Sequence, residues 1–224
     1  MAPLSVGVIY GDWGSFIRAI VLHSDISLPT GMVKVRKIAL FGGTFDPVHR
    51  GHIHLASLAK KSLELDEVRF LPCHVSPHKT DRHPASGEDR CEMLRLATAE
   101  LPWAFVDDFE LKRAEPSFSF QTAEAMTERF KGCRLFWIMG GDQWEALPKW
   151  KHPERLAQCV EFIVLSRGEK ILQPREGYTL HVVHGEHPAS ASEIRTAISQ
   201  GASEHPCLVP DVARWIEKKG LYRG

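Results

Sequence analysis

The sequence predicts an α/β protein, with a doubly wound, Rossmann-like parallel sheet in a single domain. Apolar runs of strand length alternate along the chain with segments whose apolar residues recur at helical spacing. The strand-like runs are continuously apolar, which is typical of sheets covered by helices on both faces. The chain has 224 residues, the length of one domain, and a chain of this size can bury a core without disulfides or metals.

The first strand and the first helix are predicted from the position of two glycines and from the spacing of apolar residues. An apolar strand over 38–41 ends at Gly42-Gly43. A helix from near His49 to near Leu65 follows, because its apolar residues recur every fourth position, at Leu55, Ala59 and Leu63. A strand joined to a helix by a glycine turn is the first half of a βαβ unit.

The later elements follow from the same two patterns. Further strands are predicted for five short apolar runs: 68–71, 105–106, 135–139, 160–165 and 181–183. The first of these runs is ended by Pro72 and the third by Gly140-Gly141. Further helices are predicted where apolar residues share one face, over 88–100, 122–130, 192–199 and 209–219. Ligands of such sheets bind beyond the carboxyl ends of the strands, so the site is expected in 42–54, 140–150 and 188–195.

Composition excludes several classes of protein. The 28 basic and 28 acidic side chains balance, and basic runs are no longer than pairs, so no nucleic-acid partner is expected. No stretch approaches the roughly 20 apolar residues that cross a bilayer, so no membrane partner is expected. The five cysteines are scattered without a CxxC pair, which favours reduced thiols in a cytoplasmic protein over disulfides or a zinc site.

The first 31 residues are predicted to be a dispensable N-terminal extension, and residues 32–224 the functional domain. Charged residues at 12, 18 and 25 interrupt the apolar stretches of this segment, which is unlike a signal peptide. Met32 follows a Pro-Thr-Gly turn and directly precedes the first strand pattern, so translation from an upstream start codon would explain the extension.

The segment from Gly42 to His52 has the most specific pattern in the chain: Gly-Gly-Thr-Phe-Asp-Pro-Val-His-Arg-Gly-His. Two glycines at a strand end allow a ligand close to the backbone, and a helix N-terminus beside them attracts anions. His49 and His52 lie three residues apart, on one face of the first helical turn. A plain turn and a histidine zinc site are the simpler alternatives, but no third metal ligand lies at the appropriate spacing. The string is neither a Walker A loop nor a GxGxxG motif.

This string resembles the GxFxPxHxGH signature of the nucleotidyltransferase superfamily, whose histidines contact a nucleoside triphosphate. Ala189-Ser190-Ala191-Ser192-Glu193-Ile194-Arg195 resembles the second signature of that superfamily, ISSTxIR. The resemblance implies that Ser190, Ser192 and Arg195 contact ATP. Considered singly, serines there would be helix caps and Arg195 a solvated charge.

Four further segments resemble the nicotinate-nucleotide adenylyltransferase family: His74–Lys79, Pro116–Ser119, Gly140–Trp150 and the Gly-Leu-Tyr-Arg tail at 220–223. The resemblance covers about Val35 to Arg223. It departs from the usual family residues at His74, Phe118, Ser119 and Ala189, where Asn, Tyr, Thr and Ile are common.

The resemblance implies a set of site residues. His49, His52 and Arg195 are the expected catalytic groups. The ATP site would consist of Gly42, Gly43, Thr44, Phe45, His49, His52, Asp142, Ser190, Ser192 and Arg195. The mononucleotide site would consist of Thr44, His78, Lys79, Phe118, Ser119 and Trp150, with the backbone near Ser119 and Lys151 receiving the nicotinate carboxylate.

The implied reaction is adenylyl transfer from ATP to nicotinate mononucleotide, which gives deamido-NAD and pyrophosphate. Mg²⁺ would accompany ATP, with no protein side chain as its ligand. Homo-oligomers occur in this superfamily, and the sequence leaves the oligomeric state open.

Four alternatives are weighed against this interpretation. A pantetheine-phosphate adenylyltransferase shares the first signature but is usually shorter and lacks the 140–150 segment and the tail. An enzyme that prefers nicotinamide mononucleotide would differ only in the acceptor pocket. A catalytically silent nucleotide-binding module would bind without releasing pyrophosphate. A histidine metalloprotein would use His49, His52, His54, His74 and His78.

Overall fold

Six strands form one parallel sheet in the part of the chain that the computed structural model describes, residues 34–74, 84–113, 118–166 and 172–223. The strands are β1 (Lys37–Gly43), β2 (Glu67–Pro72), β3 (Ala104–Val106), β4 (Arg134–Gly140), β5 (Glu161–Ser166) and β6 (Leu180–His184). Their order across the sheet is β3-β2-β1-β4-β5-β6, and each neighbouring pair is parallel. The predicted doubly wound sheet is confirmed.

The helices of the described residues connect or follow these strands. They are α1 (Arg50–Leu63), α2 (Gly87–Thr98), α3 (Ser119–Arg129), α4 (Gly141–Ala146), a 3₁₀ turn (Leu147–Lys149), α5 (Pro153–Cys159), α6 (Ala191–Ser199) and α7 (Pro210–Lys219). None of the described helices is long and apolar enough to span a membrane.

Most predicted elements lie within a residue or two of their observed bounds. The exceptions lie around β4. Helix α3 begins at Ser119, three residues before the predicted start at 122, and helices α4 and α5 were not predicted. These two helices have six and seven residues, which is too short for apolar residues to recur over two full turns.

The two faces of the sheet bury separate hydrophobic clusters. Along β1, Ala39 and Phe41 belong to a cluster with apolar residues of α1, α2, α6 and α7. Ile38 and Leu40 point to the other face and belong to a cluster with residues of α3, α4 and α5. This alternation places α1 and α6 on one side of the sheet and α3, α4 and α5 on the other.

The chain reverses its direction of winding between β1 and β4. The chain proceeds outward from β1 to β2 and β3 and returns to the other side of β1 to form β4. The carboxyl ends of β1 and β4 therefore flank a crevice, which is where open α/β sheets bind ligands. The predicted extension, residues 1–31, lies outside the described residues, and its boundary stays a prediction.

Candidate active site

Two stacked imidazole rings lie at the start of α1, just beyond the end of β1. The centroids of His49 and His52 are 3.7 Å apart, and their planes differ by 21°. The backbone N–H of His49 donates to Nδ1 of His52 over 3.3 Å. Because Nδ1 accepts this hydrogen bond, a neutral His52 carries its proton on Nε2, where it is a donor.

The environment of His49 keeps its ring uncharged. The residue is 7% exposed, and burial lowers its pKa to about 4, with smaller contributions from the charges of His187 and His205. Its Nδ1 is buried and makes no hydrogen bond within the described part of the chain. This nitrogen faces the position that a Cβ atom on Gly51 would occupy, so it is enclosed by the protein.

The N-terminus of α1 is partly closed by the protein itself. The sequence predicts that its first N–H groups are open to an anion, but the amide of Arg50 donates to the carbonyl of Cys207 over 2.8 Å. The side chain of Arg50 also binds the carbonyl of Leu208. No acidic side chain lies in the first turn, so the positive end of the helix dipole still faces the histidine pair.

Gly51 allows the two predicted signatures to pack against each other. A Cβ atom on Gly51 would lie 3.0 Å from Nδ1 of His49 and 3.2 Å from Cβ of Ala189. A larger residue would therefore displace either the catalytic candidate His49 or the segment that leads into α6. The glycine of His-Arg-Gly-His is required by packing.

The structure gives a different reason for the two glycines at the end of β1. A Cβ on Gly42 would meet the Trp137 ring at 3.3 Å, and one on Gly43 would meet the Phe45 ring at 3.0 Å. The space beside these glycines is thus filled by protein side chains. Phe45 was predicted to bind ATP, but its side chain is 2% exposed and belongs to the core, so only its backbone remains for a ligand.

Arg195 of α6 is held against the loop after β1. Its Nη1 donates to the main-chain carbonyl of Asp46 over 2.6 Å and lies 4.0 Å from the carboxylate oxygen Oδ2. The guanidinium is partly exposed. The two signatures, which are separated by more than 100 residues in the sequence, therefore meet directly, as the resemblance implies.

The serines of the second signature have a structural role as well. Ser190 caps α6, because its hydroxyl accepts from the backbone N–H of Glu193 at 3.5 Å. Its Oγ lies 2.8 Å from Oγ of Ser192, which is exposed. The capping alternative holds for Ser190, while the hydroxyl of Ser192 faces the solvent at the helix N-terminus.

Thr44 directly follows β1 and lies beside the end of β2. Its hydroxyl is 3.7 Å from the Sγ of Cys73, and its carbonyl accepts a hydrogen bond from Arg90. Burial raises the pKa of the Cys73 thiol, so the sulfur stays protonated beside Thr44. Across the crevice, Asp142 is exposed in the first turn of α4, directly after β4.

Three of the predicted acceptor residues, Phe118, Ser119 and Trp150, lie on the other face of the sheet from α1. Phe118 and Trp150 are half-buried and pack against the cluster formed with α3, α4 and α5. Ser119 is the first residue of α3. The ammonium of Lys151 lies 4.3 Å from the Phe118 ring centroid, so a positive charge stands at the start of α3.

Two predicted site residues, His78 and Lys79, lie outside the described residues, as does most of the segment that contains them. Their roles stay predictions. Among the residues that the structure describes, no group of three or more His, Cys, Asp or Glu side chains could hold a metal ion.

Sequence analysis missed three residues at this site. Arg90 is 2% exposed and donates hydrogen bonds to four main-chain carbonyls, those of Thr44, Cys73, His74 and Ala85. Asp46 and Tyr222 share a hydrogen bond of 2.7 Å. A signal existed for Arg90, since it lies one helical turn before Leu94 on the apolar side of α2.

Comparison with known proteins agrees with this geometry. The cytidylyltransferase-like family profile matches residues 40–197. A probable nicotinate-nucleotide adenylyltransferase of Bacillus cytotoxicus is 36% identical over 189 residues, which cover 84% of this chain and 99% of that protein. The corresponding protein of Bacillus mycoides is 36% identical over 195 residues, with the same coverage.

Solved structures show the same fold. The Plasmodium falciparum nicotinic acid mononucleotide adenylyltransferase complexed with NaAD has a TM-score of 0.69 at 18% identity, covering 84% of this chain and 97% of that one. The same enzyme complexed with APC has a TM-score of 0.67 at 17% identity, with the same coverage. Together with the matches of the family profile and of the Bacillus relatives, this places the chain in the nicotinate-nucleotide adenylyltransferase family of cytidylyltransferase-like proteins.

Proposed function

We propose that this protein transfers the adenylyl group of ATP to nicotinate mononucleotide and releases pyrophosphate. Its product is deamido-NAD, an intermediate of NAD biosynthesis. One observation carries the proposal: the stacked pair His49 and His52 stands at a helix N-terminus that Arg195 approaches from α6, within a chain 36% identical to probable nicotinate-nucleotide adenylyltransferases. Two imidazoles and a guanidinium facing one crevice are groups that suit a triphosphate.

The reaction needs little proton transfer from the protein. The attacking phosphate monoester has a second pKa of about 6, so it is mostly a dianion at pH 7. One of its oxygens forms a bond to the α-phosphorus, while the bond from that phosphorus to the bridging oxygen breaks. The electron pair of the broken bond leaves with pyrophosphate, and no covalent enzyme intermediate is needed.

The chain's contribution is to neutralise charge and to position the two substrates. His52 donates from Nε2 to the phosphate that is being transferred. His49 stacks against the His52 ring, and Arg195 with Ser192 holds the β and γ phosphates. Donors fixed before the reaction stabilise developing charge without having to reorganise. The neutral state of the buried His49 means that hydrogen bonding, more than charge, is its contribution before ATP binds.

The divalent cation enters with the nucleotide as MgATP. No group of side chains among the described residues could hold it, and when bound with ATP it would neutralise part of the phosphate charge.

The acceptor binds on the side of α3 and of the 3₁₀ turn. Trp150 provides a flat face for the pyridine ring, and its position at the end of the 3₁₀ turn is fixed by its backbone hydrogen bond to Leu147 over 3.0 Å. The start of α3 at Ser119 and the nearby ammonium of Lys151 attract the nicotinate carboxylate. Lys79 and His78 neutralise the mononucleotide phosphate, as the family resemblance implies.

The test is pyrophosphate release from MgATP with three acceptors assayed in parallel: nicotinate mononucleotide, nicotinamide mononucleotide and phosphopantetheine. We expect a strong preference for the first. A preference for either of the other acceptors would be compatible with the proposed ATP site but would contradict the proposed acceptor pocket. If the protein binds MgATP but releases no pyrophosphate with any of the three acceptors, the chain is a nucleotide-binding module without catalytic activity.

A further inference from the structure

Asp46, in the loop after β1, is a junction of four chain segments. Its side-chain oxygen Oδ1 accepts from the hydroxyl of Tyr222 over 2.7 Å and from the backbone N–H of Ala85 over 3.0 Å. Its main-chain carbonyl accepts from Arg195. The loop after β1, the residues before α2, helix α6 and the C-terminal tail therefore meet at one residue.

The carboxylate of Asp46 does not form a close ion pair with the nearest cation. Its Oδ2 is 4.0 Å from Nη1 of Arg195, whereas the same nitrogen lies 2.6 Å from the Asp46 carbonyl. The two hydrogen bonds at Oδ1 hold the carboxylate in this orientation. Arg195 is thus anchored by a neutral carbonyl, and its charge is not neutralised by contact with the carboxylate.

Local backbone geometry brings Tyr222 to this position. Helix α7 ends at Gly220 with φ 62°, and Tyr222 itself has φ 62°. A left-handed conformation is uncommon for a residue with a side chain, and such residues persist only where their surroundings hold them. The hydrogen bond to Asp46 and the packing of the ring against the core hold Tyr222 here.

We propose that Tyr222 is a positioning residue for Arg195: by hydrogen bonding Asp46, its hydroxyl keeps that carboxylate from pairing with the guanidinium, which stays available to the ATP phosphates. This inference rests on the proposed function, because it assumes that Arg195 binds ATP. Burial, together with the charge of Asp46, raises the pKa of Tyr222, so the hydroxyl stays a donor at neutral pH. Arg195 and Arg90 face it as well, and their charges act in the opposite direction.

The first test is calorimetry of MgATP binding, without acceptor, to the wild type and to Tyr222→Phe. The phenylalanine keeps the ring and removes only the donor. We expect about a tenfold weaker affinity for MgATP, since Asp46 then pairs with Arg195. In steady-state assays, KM for MgATP should rise by a similar factor and KM for nicotinate mononucleotide by less than about twofold.

A double variant separates positioning from a merely structural effect. In Asp46→Asn the side chain keeps an oxygen for Ala85 but has no charge to capture Arg195. The Tyr222→Phe substitution should therefore have little effect in that background, with MgATP affinity within about threefold of the Asp46→Asn variant. Tyr178→Phe is the matched control, because Tyr178 packs beside Trp144 on the opposite face and should leave the affinity unchanged.

Three results would overturn the inference: unchanged MgATP affinity in Tyr222→Phe, an equal rise of KM for both substrates, or no recovery in the double variant. If Tyr222→Phe does not fold, the Asp46→Asn variant tests the proposal by itself. Its affinity for MgATP should lie within about threefold of the wild-type value, and a larger loss would contradict the proposal. A wild-type protein that fails to bind MgATP would instead refute the proposed function.

Discussion

The guanidinium of the buried Arg90 donates a hydrogen bond of 2.9 Å to the main-chain carbonyl of Thr44, directly after β1. The same group binds the carbonyls of Cys73, His74 and Ala85, at 2.7, 3.1 and 2.9 Å. One buried cation thus ties the end of β2, the loop after β1 and the residues before α2 together.

Replacing this cation by an apolar side chain should destabilise the fold. Arg90→Met leaves four partly buried carbonyls without their donor, and we expect a loss of about 3 kcal/mol or more in the free energy of unfolding. Chemical denaturation measures it. Arg95→Met is the control, because Arg95 is exposed on the same helix and should change stability by less than about 0.5 kcal/mol. Similar losses in the two variants would contradict the role of Arg90.

His52→Ala should keep the fold and lose most turnover. Removing a donor aimed at developing charge typically costs about 10²–10³ in kcat. Steady-state pyrophosphate release measures the loss, and a thermal melt checks folding. His54→Ala is a matched control, since His54 is exposed on the same helix. Near-normal turnover of His52→Ala, or an equal loss in His54→Ala, would remove His52 from the site.

Stability should fall in acid partly because of His49. Its pKa is lowered from 6.5 to about 4 in the folded protein, so the unfolded chain binds a proton more readily. The stabilisation is therefore complete above about pH 6.5 and is lost as the pH falls toward 4. Between pH 7 and pH 5, the wild type should lose about 2 kcal/mol more than His49→Gln. Parallel pH profiles of unfolding free energy in the two proteins would refute this.

Trp150→Ala should weaken the binding of the acceptor, nicotinate mononucleotide, more than the binding of ATP. Stacking of a heterocycle on an aromatic side chain contributes about 1–3 kcal/mol, so KM for nicotinate mononucleotide should rise by about tenfold or more. KM for MgATP should change by less than about twofold. Trp150→Phe keeps an aromatic face and should recover most of the affinity. If the KM values for both substrates rise by a similar factor in Trp150→Ala, the pyridine ring of the mononucleotide does not stack on Trp150.

Lys151→Met should reduce the preference for an acid over an amide. The ammonium lies over Phe118 at the start of α3, where the nicotinate carboxylate is proposed to bind. Because Lys151 is exposed, we expect only about a three- to fivefold drop in the ratio of kcat/KM for the two mononucleotides, smaller at high salt. Lys149→Met, which removes a charge two residues away, serves as the control. An unchanged ratio would show that backbone groups alone select the carboxylate.

The first signature could be predicted from sequence because its parts are local. Glycines, a helix start and two histidines three residues apart lie within eleven residues, so spacing alone places the imidazoles on one face. The burial of the Phe45 side chain could not be predicted in this way, because it depends on contacts with Phe41 and with Phe70 of the neighbouring strand.

The contact between Asp46 and Tyr222 could not be predicted in this way. Their hydrogen bond joins residues 176 positions apart, and it depends on how α7 ends and on the side of the sheet that α7 covers. Arg90 shows the other limit. A cation on an apolar helical face indicates that a polar group is buried against it. The four carbonyls that Arg90 binds come from two connections, the loop after β1 and the segment between β2 and α2, and become neighbours only in the fold.

The two hydrophobic clusters on opposite faces of the sheet have a consequence for how such proteins diversify. The histidine pair and Arg195 are supported by the packing of α1 and α6, whereas Phe118 and Trp150 rest on the cluster around α3, α4 and α5. Apart from Asp142 of α4, the groups proposed for the nucleotide and for the acceptor therefore rest on different clusters. Substitutions that alter the acceptor site of such a protein are therefore expected to leave the histidine pair in place.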